Sequence, residues 1–508
     1  MNEDFEGGEE QVNKEKKNSI GSNILHLFYS TALSSILNAA ALIVLASYLQ
    51  SNHYGVFSVA LAFAMIMGYF TDAGLSDITL REGSKPKVKL QELISSYVKM
   101  RLALLVVTFF IGFSFIHMFN SSNGELIRTA YYLIIPMVTG VALQSIGTIF
   151  YQLIEKMQYY GLIRMVSSFC LVTAMVIGMG LQLNPLIMCA LYGFSYLTAG
   201  IFGLILVMKD VSIRFSYPFH KGLFKNLGSF TLGGLLFVLL PHIGPIILEK
   251  TIPIAAVGLF AVAYRIPQAL QQIPFIVAGA YYPVLFRSFQ NQNLERHLDH
   301  RITQTKIMSL VGMMMVLPFF YLSEYVIKVL FGTEWLGAAF PLKVLSLMLL
   351  LQSINIALAD GLTTMEKQNF RTFIQFVTVI VGVGMYITLS LSYGVIGAAI
   401  TGVAIEVLAL LGFWLCSPNR WVLFKKSLFP YLSYFFAGLL LMEWLETFHA
   451  ILALSLHSIL VLLLPLLDTE LRRKITVYTQ HWILKYKQGR VPKHSGGVGN
   501  GPSKANGS

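Results

Sequence analysis

The segment VGLFAVAYRIPQAL, Val257 to Leu270, sets one arginine, Arg265, inside an almost wholly apolar run. If that run spans a bilayer, Arg265 lies about ten residues in, some 15 Å deep and near the middle of a hydrocarbon core about 30 Å thick. A cation at that depth costs roughly 3 kcal/mol on insertion scales, so it must face a partner or a wet cavity. Gln268 and Gln272 follow at i+3 and i+7, on the same helix face as the arginine. A guanidinium flanked by amides suits a phosphate, which it grips with paired hydrogen bonds while the amides add neutral donors. The competing reading is an ion pair between helices with Glu406, near mid-depth of a later apolar run.

Other polar residues fall at helical spacing inside apolar runs. His26, Ser30, Ser34 and Asn38 step by four, as do Gln144, Thr148 and Gln152; Asp72 and Ser76, and Gln352 and Asn355, form shorter pairs. Each such stripe reads either as hydrogen-bonding glue between helices or as the lining of a polar cavity, to which Asn38, Gln144 and Asn355 would contribute. Asp72 and Glu406 are carboxylates placed where desolvation could let them carry a proton or sodium ion. Asp360 and Glu155 fall at the ends of apolar runs, where interfacial water solvates them. His242 sits between Pro241 and Pro245, a pattern that marks a broken helix or a tolerated kink. Cys170, Cys189 and Cys416 lack any CxxC spacing, so neither a disulfide framework nor a zinc site is expected. The chain contains no HExxH, GxxxxGK[ST] or GxSxG, which argues against hydrolytic or ATP-driven chemistry and leaves a proton or sodium gradient, the membrane potential or consumption of the product outside as the driving force, with no cofactor.

The elements that must hold these residues follow from composition. The 508 residues are 55% hydrophobic and only 12% charged, and mean hydropathy is +0.66; soluble domains carry about 25% charge. The expected fold is an all-α integral membrane protein with about fourteen transmembrane helices between residues 24 and 467. With both termini cytoplasmic, 32 of the 37 lysines and arginines fall in inner segments, and only Arg128, Lys250 and Lys328 fall outside. The net charge of +12 is therefore a topology signal and gives no reason to expect nucleic acid. No outer connection exceeds about ten residues, too little for an extracellular catalytic domain. The polar N-terminal stretch lacks the features of a signal peptide, and the Gly/Ser-rich C-terminal stretch is expected to be disordered.

YGVFSVALAF at Tyr54 and VGLFAVAYRI at Val257 align at an offset of 203 positions, with Gly55, Phe57, Val59 and Ala60 recurring as Gly258, Phe260, Val262 and Ala263. This is the pattern of a six-helix unit duplicated into two lobes. The segments YGVFSVALAFAMIMGYFTDAGLSDITLREGS, VIKVLFGTEWLGAAFPLKVLSLMLLLQSINIAL and SYGVIGAAITG resemble polysaccharide (O-antigen-type) flippases of the multidrug/oligosaccharidyl-lipid/polysaccharide exporter superfamily. The resemblance implies two lobes around a central cavity that moves lipid-linked oligosaccharide, on a diphosphate carrier such as undecaprenyl diphosphate, across the cell membrane by alternating access. It also implies polymerase and glycosyltransferase partners, with membrane lipids as the surroundings. The corresponding layout is an N-terminal tail at 1–22, lobes at 23–212 and 213–420, two extra helices at 421–470 and a basic tail from 471 to 508. A lipid II flippase is the nearest rival, expected to carry more cavity arginines; a drug or metabolite cation antiporter would want an acidic or aromatic cavity without Arg265.

Overall fold

The computed structural model describes residues 20–85, 88–224, 227–474 and 476. Among them there is no strand. The N-terminal tail and nearly all of the basic C-terminal tail lie outside the described residues, and the first helix begins at Ile20, slightly ahead of the expected lobe boundary. The chain runs α1 (Ile20–Phe70), α2 (Leu75–Gly83), α3 (Leu90–Asn120), α4 (Gly124–Leu153), α5 (Met157–Gly180), α6 (Pro185–Asp210) and α7 (Leu227–Thr251). It continues with α8 (Ile254–Leu270), α9 (Gln272–Gln290), α10 (Leu294–Tyr321), α11 (Ser323–Phe331), α12 (Ala339–Thr364), α13 (Gln368–Cys416), α14 (Arg420–Leu423), α15 (Phe429–Phe448) and α16 (Ala450–Leu467).

Ten stretches among the described residues are helical, long and apolar enough to cross a membrane. Two of these are far longer than one crossing needs: 55 residues at Tyr29–Gly83 and 49 at Gln368–Cys416, against about 20 for a single span. Each is broken near its middle by a residue of positive φ, Gln50 (φ 60) in α1 and Gly394 (φ 58) in α13. The first break falls at the polar run Gln50–His53 and the second beside Ser392 and Tyr393, so the sequence shows two neighbouring spans at each where the chain shows one interrupted helix.

The N-terminal half of the chain is knitted by small residues. Helices α4 and α6 pack along their length, with Gly140 set against the backbone of Tyr196 and Leu197 and Gly200 against the Gly140 carbonyl. Such close approach lets dispersion and weak backbone contacts hold helices where lipid tails offer no hydrophobic driving force. In the C-terminal half α10 packs on α12, and α12 on α13.

The two halves meet where α1 crosses α8, and the crossing is reciprocal. A Cβ on Gly55 would strike the Ile254 carbonyl and come 3.2 Å from the Gly258 nitrogen; a Cβ on Gly258 would strike the Ser51 carbonyl and come 3.2 Å from the Gly55 nitrogen. Partners on either side of the crossing are related by the same 203-residue offset that aligns the two sequence segments. Trp335, from the 3-10 turn Thr333–Ala338, closes over this crossing, with its ring edge-on to Tyr54 at 5.7 Å between centroids. The stretch read from the sequence as a plain outer loop is thus a short helix and turn carrying a fully buried tryptophan.

At the opposite end, chain beyond α16 docks on α10. Lys306, almost wholly buried, pairs with Asp468 at 2.7 Å and Glu470 at 3.2 Å, and Lys426 reaches Glu470 at 3.0 Å. The segment from residue 471 begins as ordered helix, with Leu471 buried.

Substituting leucine for Gly55 or Gly258 should abolish recovery of monodisperse protein in detergent, and alanine at either position should cost about 1–3 kcal/mol of stability through overpacking. Alanine at Gly279, whose Cβ direction is open, should be neutral in the same size-exclusion and thermal-melt assays.

Candidate functional site

Below the α1–α8 crossing lies a cavity of about 430 Å³. Its walls come from α7, α8, α9, α12 and α13, with Met65 of α1 contributed by the N-terminal half. Most of the lining is apolar, interrupted by a file of amides and charges: Gln268, Gln271 and Gln272 on one side, Gln352 and Asn355 on a second, Glu406 on a third. Asp360, Arg371 and Gln375 line it as well, on the ends of α12 and α13 that the loop cations assign to the cytoplasmic side.

Arg265 is held in the last turns of α8, and its Nη1 donates to Gln268 Oε1 at 2.8 Å. Its Nε is buried and finds no hydrogen-bond partner. The guanidinium does not line the described cavity itself; it backs the wall through Gln268, and its field reaches Tyr54, Tyr192, Tyr196 and His242. Gln268 and Gln272 both reach the cavity, although the helix breaks at Gln271 between them.

Glu406 makes no ion pair with Arg265. It accepts from Gln352 Nε2 and from Asn355 Nδ2, each at 2.8 Å, and Gln352 Oε1 in turn accepts from Gln271 Nε2 at 2.6 Å. A carboxylate, three amides and an unpartnered Asn355 Oδ1 therefore form one connected array that ties the α8–α9 junction at Gln271 to α12 and α13. With only neutral donors around it, the Glu406 carboxyl has no counter-charge of its own, an arrangement in which a proton or a cation would supply neutrality.

Asp72 departs from the lone mid-helix carboxylate that its spacing suggests. It lies in the non-helical turn between α1 and α2, where Ala73 (φ 48) and Gly74 (φ 81) take left-handed geometry. Its Oδ1 accepts from Arg101 Nη1 at 2.7 Å, Ser76 Oγ at 2.5 Å and Ser76 N at 3.2 Å, so it caps α2 and neutralises a buried arginine. Tyr97 extends the cluster through Ser76 and Ser145. Arg101 was counted from the sequence as a loop cation, but it is 2% exposed.

Asn38 and Gln144 lie outside this cavity. Asn38 is half-buried on α1, and Gln144 on α4 donates to the Ile163 carbonyl of α5 at 3.5 Å, the role of interhelical glue. Asp360, assigned from the sequence to interfacial water, is buried in the cavity wall and accepts from Gln304 Nε2 at 3.0 Å. Gln271, Arg371 and Gln375 also line the cavity, beyond the residues that the polar stripes in the sequence point to. The i, i+4 spacing of Arg371 and Gln375 is the signal that would have put them on one face.

The same architecture occurs in solved transporters of low sequence identity. The structure of "Lipid II flippase MurJ, inward closed conformation" superposes with a TM-score of 0.61 at 15% identity, covering 85% of this chain and 97% of that one. An inward-facing multidrug resistance MATE family transporter of the MOP superfamily superposes at 0.66 with 16% identity, covering 80% of this chain and 99% of the other. Among curated proteins, the "Probable low-salt glycan biosynthesis flippase Agl15" of Haloferax volcanii is 22% identical over 147 residues, a match spanning 28% of this chain and 30% of that protein. The ten apolar helical stretches among the described residues make the chain a multi-pass membrane protein. The family model for polysaccharide biosynthesis proteins matches residues 20–289, more than half of the sequence, and the chain belongs to that family.

Proposed function

We propose that the protein is a flippase that carries lipid-linked oligosaccharide repeat units across the cytoplasmic membrane, for assembly of cell-surface polysaccharide. The observation that carries this reading is the membrane-embedded cavity with its file of amides backed by Arg265 and ended by Arg371. A diphosphate-linked lipid needs cations and neutral donors for its anion, and amides suit the hydroxyls of its sugars, while the lipid tail stays in the bilayer.

In this reading fourteen spans place both termini in the cytoplasm, and two lobes rock about the Gly55–Gly258 crossing. The cavity is sealed at that end by Trp335 and Tyr54 and extends toward Arg371, an inward-facing state ready to load from the cytoplasmic leaflet. Gln268 would swing between Arg265 and the sugar-phosphate headgroup, freeing the guanidinium to bind the phosphate with its fork. Glu406 is the residue best placed to couple cargo movement to a proton or sodium gradient, since its partners are neutral; Asp72 is already neutralised by Arg101 and serves structure. Polymerase and glycosyltransferases would act on either side of the same membrane. A lipid II flippase would share the phosphate grip, and a cation antiporter would meet Arg265 as a barrier.

Arg265→Ala should insert and fold normally yet stop polymer export in cells, and Arg265→Lys should rescue part of it by keeping charge while losing the planar fork. Wild-type polymer from a normally inserted alanine variant would end the assignment of Arg265 to cargo. For coupling, the two carboxylates should separate. Glu406→Gln should keep its thermal stability but lose the response of proteoliposome transport to a pH or sodium gradient. Asp72→Asn should instead lower stability by about 3 kcal/mol, because it leaves Arg101 buried without its partner.

A further inference from the structure

Away from the cavity, the corner between α13 and α14 forms an open notch of about 410 Å³, lined by Leu415, Ser417, Asn419, Arg420, Trp421 and Val422. Ser417 is 4% exposed, and its Oγ has no hydrogen-bond partner. Arg420 is exposed at the rim, held by a bond from its Nη1 to the Leu415 carbonyl at 3.3 Å.

Behind the same corner stands Arg301 of α10. The residue is 2% exposed, and its Nη1 donates to the carbonyl of Pro418 at 3.2 Å, a residue that stands between Ser417 and Asn419 of the notch. Nε and Nη2 have no partner, and among the described residues no carboxylate pairs with this cation. A buried guanidinium without an anion is costly, and its field falls on the nearest open polar space. Here that space already contains a second arginine and an unsatisfied hydroxyl.

We infer that this notch binds a phosphate group, presented by an anionic phospholipid of the surrounding leaflet. Two arginines of like sign require an anion, and the Ser417 hydroxyl adds a neutral donor at its floor. The lipid source follows from the rim. Trp421 is 56% exposed and meets Trp414 edge-on at 5.3 Å between centroids, and Leu415 and Val422 give the notch apolar flanks. Exposed tryptophan beside arginine is the composition of a membrane–water interface, where the ring lies at headgroup level and the cation meets phosphate. A bound headgroup would clamp α10 to the corner that leads into α15 and α16.

The inference stands apart from the transport reading, and its test reads lipid retention without transport. Full-length protein purified in neutral detergent is incubated with phosphatidylglycerol, phosphatidylcholine or inorganic phosphate, then examined by native mass spectrometry and thermal melting. Wild type should retain phosphatidylglycerol about tenfold better than phosphatidylcholine and melt at a higher temperature with it, in keeping with a charge-assisted site. Ser417→Ala and Arg420→Gln should each remove most of that preference while melting normally without lipid. Arg301→Met should remove it too; if that variant does not fold, the two rim variants still decide. Equal retention of the two lipids by wild type, or unchanged preference in both rim variants, would overturn the site. The full thermal shift with inorganic phosphate alone would overturn its assignment to lipid.

Discussion

Two backbones pressed together at Gly55 and Gly258 are the constraint on which the rest of the molecule depends. Neither position has room for a methyl group, and each glycine is packed against the carbonyl that stands four residues before the other. In a bilayer this contact gains nothing from excluding water, so its strength comes from dispersion and close backbone approach. It fixes where the two halves of the chain touch, beside the cavity that Met65 of α1 and Gln268 of α8 both line.

Much of this was legible in the sequence because the bilayer simplifies the problem. Length and hydropathy place the helices, and the recurrence of Gly-x-Phe-x-Val-Ala after 203 residues marks the two segments that cross. Gln268, Gln272, Asn355 and Glu406 could be set near a cavity because polar residues in apolar helices have few other places to go. The breaks at Gln50 and Gly394 fall where one apolar run gives way to the next, whereas those at Ala73–Gly74 and Gln271 were not legible, since hydropathy averages over a window far wider than one residue. Asp72 shows the consequence: read as a position along a continuous helix it looks like an isolated acid, and the turn that contains it brings Arg101 to its side.

Charge counting hid a second layer. The positive-inside rule treats the basic residues of inner segments as interchangeable. In the fold they divide. Arg101 and Lys306 are buried against carboxylates, Arg301 is buried without one, Arg371 lines the cavity, and Arg420 stands at the surface. No spacing rule separates these cases, because the partner of each lies on another helix: Asp72 precedes Arg101 by 29 residues, whereas Asp468 follows Lys306 by 162.

That division bears on how such a molecule could change shape. The strong ion pairs each join elements within one half of the chain: Asp72 with Arg101 on the N-terminal side, Lys306 with Asp468 on the C-terminal side. Breaking any of them would strand a buried charge, so they favour rigid halves. The contact between the halves at the crossing is made instead of glycine backbone and aromatic edges, which separate without leaving a charge unpaired. Elsewhere the halves are joined by neutral hydrogen bonds, from Tyr69 to the Thr231 carbonyl and from Thr231 to the Ala73 carbonyl, each at 2.7 Å, which also part without stranding a charge. Within the C-terminal half the amide file around Glu406 ties the α8–α9 junction at Gln271 to α12 and α13 and faces the cavity, so a ligand or ion that competes for those amides meets a polar network whose members are neutral apart from Glu406.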